Sequence, residues 1–120
     1  CVRPAMPKNS SCSRLPGTSA IGHNRYSTEG DTVMRNVQPL FADFESGGFA
    51  IGHNGNLTNA RKMRHELVHR GCLFQSTTDT EVIVHLIATS RHTTVVDRMI
   101  DALGRLTGAY SLVAMTQKEI

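Results

Sequence analysis

Four stretches of the chain carry residue types at spacings that could do chemistry. His65-Glu66-Leu67-Val68-His69 has the H-E-x-x-H form, in which two histidines one helical turn apart hold zinc and the glutamate serves as general base. His53-Asn54-Gly55-Asn56 follows an apolar run. An Asn side chain beside a glycine amide is a donor pair able to hold an oxyanion, and Asn-Gly is equally an ordinary turn. In Gly22-His23-Asn24-Arg25-Tyr26-Ser27-Thr28, Arg25 is either a carboxylate clamp in fork geometry or a surface cation. Asp79 opens a helical pattern. An acid there suits the helix dipole, and it could instead hold a ligand ammonium group.

These groups need elements to position them. Residues 1–17 are rich in Pro, Ser, Asn and Gly and read as irregular, with order expected from Thr18 onward. Ser19 to Tyr26 suits a short strand, and 27–36 a loop with Gly30 and Asp31 as turn residues. Pro39 to Phe44 and Phe49 to His53 read as two strands of a hairpin joined through Ser46-Gly47-Gly48. Three helices are expected, over about Asn59 to Arg70, Asp79 to Ser90 and Thr94 to Leu106. Their inward stripes are Ala60, Met63 and Leu67, then Val82, Ile83, Leu86 and Ile87, then Val96, Met99, Ile100 and Leu103. Gly71 stops the first helix, and Thr78 with Glu81 forms a capping box for the second. Cys72 to Gln75 suits a short strand, and the apolar run 109–115 a strand covered on both faces. The fold class is α+β.

Helical geometry bears on the zinc reading. With Leu67 at zero, Met63 falls at about −40° and Ala60 at about 20°, while His65 and His69 fall at about 160° and 200°. The two histidines are therefore expected to face solvent, and neither the G-x-x-H extension nor an obvious third ligand follows.

Composition narrows the classes. The 120 residues are 39% hydrophobic and 19% charged, enough for one small domain with a modest core. No apolar run is long enough to span a membrane. The net charge of +3 comes from scattered basic residues with few aromatics between them, so nucleic acid is not an expected partner. Cys1, Cys12 and Cys72 are an odd number without a C-x-x-C pair, which fits a reducing compartment and not a disulfide framework. With Pro4, Pro7 and Pro16 in the first 17 residues and no apolar stretch among them, no signal peptide is read, and the cytoplasm is the expected location.

GHNRYST, NVQPL, HNGNLTNA, STTDTEVIVHLIA and LTGAYSLV follow one another along the chain. In this order they resemble the glutaminase domain of the amidophosphoribosyltransferases, within the class II glutamine amidotransferases. The resemblance covers residues 15–117; RYST and NVQPL favour this family over glucosamine-6-phosphate synthase, the nearest competitor. It implies the four-layer αββα sandwich of N-terminal nucleophile hydrolases, with residues 18–120 as a partial domain. It also implies a mechanism in which an N-terminal Cys attacks the glutamine side-chain amide, ammonia leaves, and water releases glutamate. Arg25 would bind the α-carboxylate with help from Thr28, Asp79 would hold the α-ammonium, and Asn54 with the Gly55 amide would form the oxyanion hole. The parent would pass ammonia to phosphoribosyl pyrophosphate in a second, phosphoribosyltransferase domain that uses Mg2+, and would be a homo-oligomer.

The nucleophile departs from the pattern. Family members begin Cys-Gly followed by an apolar strand, far upstream of the Arg matched by Arg25, whereas Cys1 precedes Val2-Arg3-Pro4 and lies close to it. Cys1 is therefore not expected to be the nucleophile. These 120 residues are expected to be the middle of a larger domain, inactive alone. A glutamine-binding remnant and a zinc hydrolase through His65, Glu66 and His69 are the readings from other classes.

Overall fold

The computed structural model describes residues 17–24 and 34–117. After a single 3-10 turn at Met34–Asn36, β1 (Leu40–Phe44) and β2 (Gly47–Leu57) form a hairpin, followed by α1 (Ala60–His69), α2 (Asp79–Thr89), α3 (Val95–Gly104) and β3 (Gly108–Thr116). The three strands make one antiparallel sheet in the order β1-β2-β3. Phe44 pairs with Gly47, so only Glu45 and Ser46 separate the hairpin strands.

One face of the sheet makes the core. Alternation puts Phe49, Ile51, His53 and Leu57 of β2 on the same side as Leu40 and Phe44 of β1 and Tyr110, Leu112 and Ala114 of β3. The helices cover this side: Ala60, Met63 and Leu67 of α1, Val82, Ile83, Leu86 and Ile87 of α2, and Ala102 of α3 complete the buried cluster. Phe44 stacks on Phe49 with ring centroids 5.2 Å apart. The opposite face bears Gly48, Ala50, Gly52 and Asn54, with Phe41 and Val113 exposed.

Most expected elements are present, with five corrections. Residues 17–24 have no regular structure, so no strand forms over the described part of 19–26. Residues 72–75 are not a strand either. Phe74 is instead fixed by side chains, its ring 4.4 Å from that of His85 and 4.1 Å below the Arg64 guanidinium. Thr78 makes no side-chain cap to α2. Glu81 turns away from the expected box and accepts from the amides of Gln75 and Ser76 and from the Ser76 hydroxyl, each at 2.7 Å. The α3 stripe is rotated: Ala102 is buried and Val95 and Met99 pack against the core, while Val96 is 52% and Ile100 63% exposed. Finally, β3 alternates between exposed and half-buried positions from Ala109 to Ala114, so among the described residues it is covered on one face there.

Candidate active site

The Asn54-Gly55 pair is not a turn. It lies within β2, where Asn54 pairs with Ser111 and Gly55 with Tyr110 of β3. The strand can pass here because Gly55 has φ +138°, and a side chain would overlap the Ala109 carbonyl oxygen and come within 2.6 Å of Tyr110 Cα. Gly108, at φ +144°, meets the same restriction against the Asn56 carbonyl. Just past this close crossing, Asn59 ties the two chain segments together. Its Nδ2 donates to the Arg105 carbonyl at 2.8 Å, and its Oδ1 accepts from the Thr107 amide at 3.0 Å.

On its other edge β2 loses its neighbour early. The last β1 pair in that direction is Leu40 with Ile51, so among the described residues 54–57 have no strand beside them there. Pro39 ends the ladder, because it has no N–H to donate. Continued in register, position 38 would face His53, and Gln38 occupies that place with its side chain: the His53 amide donates to Gln38 Oε1 at 2.7 Å. Four residues further along β2 the Leu57 amide points to Asp79 Oδ2, 3.4 Å away. The carboxylate at the start of α2 thus sits at the strand end that carries Asn54 and Gly55. Three residues of strand, about 10 Å, separate Asn54 from Leu57.

One further polar link joins α2 to β2, and another joins the 3-10 turn to the loop before α2. Thr80, fully buried, lies with Oγ1 3.4 Å from His53 Nδ1. His53 is itself buried, and its Nε2 has no hydrogen-bond partner among the described residues. Burial lowers its pKa from the usual 6.5, opposed by the nearby Asp79 and reinforced by His23. Asn36, also buried, bonds Thr77 twice: its Nδ2 donates to Thr77 Oγ1 at 3.1 Å and its Oδ1 accepts from the Thr77 amide at 3.2 Å.

Of the sequence-derived candidates, Asn54, Gly55 and Asp79 lie at one end of the sheet: Asp79 meets Leu57, two residues past Gly55, while Asn54 alternates to the face opposite the helices. Arg25, Thr28, Cys1 and Cys12 lie outside the described residues. His23, two positions before Arg25, rests against Gly52, where a methyl group would stand 3.8 Å from its Nδ1. Cys72 is a half-buried free thiol packed on the core. His65 and His69 are exposed, as the helical wheel requires. Glu66 lies 3.9 Å from Arg105, and no group of three potential metal ligands occurs among the described residues. Sequence reasoning did not find Asn36, Gln38, Thr77 or Thr80. The one available signal was Pro39 immediately after an amide side chain.

A glutamine amidotransferase domain matches residues 23–120. The chain belongs to the glutamine amidotransferase family. Amidophosphoribosyltransferase of Rhizobium etli is 55% identical over 107 residues, 89% of this chain and 22% of that protein. The chloroplastic amidophosphoribosyltransferase of Glycine max is 51% identical over 114 residues, 94% of this chain and 20% of that one. Among solved structures, the glutamine phosphoribosylpyrophosphate amidotransferase of B. subtilis, complexed with ADP and GMP, superimposes with a TM-score of 0.71 at 42% identity. That match covers 78% of this chain and 20% of the other. A structure described as the allosteric regulatory enzyme of purine biosynthesis gives 0.75 at 43% identity, over 79% and 21%. This amidotransferase chain therefore spans about a fifth of the length of these relatives. Its fold is the α+β N-terminal nucleophile hydrolase type, of which the described residues supply one sheet and one helical layer. No helix among the described residues is long and apolar enough to cross a membrane.

Proposed function

We propose that the chain is the glutamine-binding part of the glutaminase domain of an amidophosphoribosyltransferase. The complete enzyme hydrolyses glutamine and transfers the ammonia to phosphoribosyl pyrophosphate, giving 5-phosphoribosylamine in de novo purine biosynthesis. The observation that carries this reading is the meeting of Asp79 with the strand end that holds Asn54 and Gly55. A free amino acid offers an ammonium at one end and, in glutamine, a carbonyl to be attacked at the other. The site answers with a carboxylate and a set of donors within about 10 Å of strand.

Asp79 holds the α-ammonium, Arg25 the α-carboxylate, and Thr28 assists Arg25. Asn54 Nδ2 and the Gly55 amide receive the oxyanion of the tetrahedral intermediate. The alternation of β2 supports the second donor: the His53 and Leu57 amides are taken by Gln38 and Asp79 on the edge that β1 leaves open, and Gly55 stands midway between them. One such donor is worth about 3–4 kcal/mol of barrier. The nucleophile is a Cys other than Cys1, Cys12 or Cys72; the first two lie upstream of the matched residues and the third is packed in the core. The phosphoribosyltransferase domain, with its Mg2+, belongs to the parent, a cytoplasmic homo-oligomer.

Isothermal titration of L-glutamine into the chain tests the reading. Binding is expected without glutamate release, and Asp79→Asn is expected to weaken it by about 2 kcal/mol, roughly thirtyfold. No binding, or binding indifferent to Asp79, overturns the assignment. Glutamate release that disappears in Cys1→Ala overturns the placement of the nucleophile.

A further inference from the structure

The functional reading leaves open how the two ends of the site keep their distance. β2 carries the oxyanion donors and α2 carries Asp79, and the two belong to different layers. The direct polar contacts between the two elements are both long: the Leu57 amide to Asp79 and Thr80 to His53, each at 3.4 Å. A second connection is shorter in every step. Gln38 Oε1 holds the His53 amide, the residue next to Asn54, at 2.7 Å. Asn36 holds both the amide and the hydroxyl of Thr77, two residues before Asp79, at 3.2 and 3.1 Å. Only Val37 separates the two amide side chains in sequence. The segment is seated by a 3-10 turn, the Val37 amide donating to the Met34 carbonyl at 3.1 Å.

We infer that Asn36 and Gln38 are positioning residues for glutamine: together they set the span between the ammonium-binding carboxylate and the oxyanion donors, and so select the length of the amino acid that fits between them. Neither touches substrate. Gln38 acts because its side chain replaces the strand that Pro39 cuts short. The His53 amide would otherwise face an open edge, and the polar ties from the end of β2 to α2 would be the longer 3.4 Å contacts at Thr80 and Asp79. Asparagine, one methylene shorter than glutamine, presents the same end groups at a smaller separation. A site with a fixed span rejects it because its carbonyl cannot reach the donors while its α-ammonium is held, which leaves one end of the site unpaired.

The inference rests on the glutamine-binding reading, and the test separates the two. L-glutamine and L-asparagine are each titrated into the full chain, and exchange of the His53 and Thr77 amides is followed by NMR. Gln38→Met keeps the stem and removes the acceptor. It is expected to speed exchange at His53, weaken glutamine about tenfold and narrow the preference over asparagine. Gln38→Glu retains an acceptor and is expected to restore both protection and preference. Asn36→Leu keeps the bulk of the side chain, removes the bonds to the Thr77 amide and hydroxyl, and is expected to speed exchange at Thr77 and narrow the same preference. Glutamine binding with an unchanged preference in Gln38→Met, despite faster exchange at His53, overturns the inference and leaves the functional reading standing. Failure of the unaltered chain to bind glutamine overturns the functional reading and the inference with it.

Discussion

At the scale of single residues, Gly55 is where the backbone has least freedom to change. Its φ of +138° and the adjacent Ala109 carbonyl leave no room for a side chain. Gly55→Ala is expected to lower stability by about 2–3 kcal/mol in urea denaturation, from left-handed strain and displacement of β3 combined. Gly52→Ala is the matched control: its methyl group would meet His23 and Val113 only at 3.8 and 4.0 Å, and little or no loss is expected. The sequence offered Asn54-Gly55 as either turn or oxyanion site, because the dipeptide suits both. What decided for a strand was the pairing with Tyr110 and Ser111, more than fifty residues away in sequence. Gln38 was invisible for a related reason. Its role exists only because Pro39 leaves a gap in a ladder whose register is set by the hairpin.

At the scale of elements, local patterns carried α1 and α2 correctly, since their apolar stripes match the buried residues. The face of α3 was not legible. Val95, Val96, Met99, Ile100 and Leu103 form a stripe wider than the contact, and the part that joins the core is Val95 and Met99, with Ala102 beside them. The loop before α2 differs again. Glu81 binds the Gln75 and Ser76 amides and the Ser76 hydroxyl, and Arg64 donates to the Ser76 and Thr78 carbonyls at 3.0 and 2.9 Å. Burial pushes the Glu81 pKa up, but these hydrogen bonds and nearby His85 outweigh it, and the group ionises below its usual 4.5. A carboxylate with a depressed folded pKa stabilises above the unfolded value and loses that contribution as pH falls through the folded one. Glu81→Gln is therefore expected to cost about 1–3 kcal/mol at neutral pH, and much less once acid has protonated the native side chain. Denaturation midpoints of both chains, measured from pH 7 down to about 3, check this. An equal cost at every pH would show that the charge of Glu81 does not hold the loop.

At the scale of the whole molecule, the described residues bury one face of the sheet and leave apolar surface elsewhere. Val113 is 51% and Phe41 72% exposed on the far face. A groove of about 660 Å³ runs between α3 and β3, lined by Val96, Met99, Ile100, Leu103 and Leu112 among others. Apolar surface of this kind, beside a strand edge, favours association. The isolated chain is expected to elute on gel filtration at a volume that shifts with concentration. Ile100→Lys, which charges an exposed position without touching the buried cluster, is expected to reduce the shift. A sharp monomer peak for the unaltered chain at all concentrations would contradict this.

The strand setting of Asn54 and Gly55 also bears on how the protein ages. Asn-Gly is the dipeptide most prone to lose its side-chain amide, because the glycine nitrogen can close onto the asparagine carbonyl carbon when the backbone is free to fold back. In β2 that ring closure is opposed by pairing with Ser111 and Tyr110 on one side and by the Gln38 anchor at His53 just before it. The ladder that fixes Asn54 therefore also protects it from turning into aspartate, a change that would put a negative charge at the oxyanion site proposed above. Chemical durability and the geometry of that proposed site depend on the same few backbone contacts.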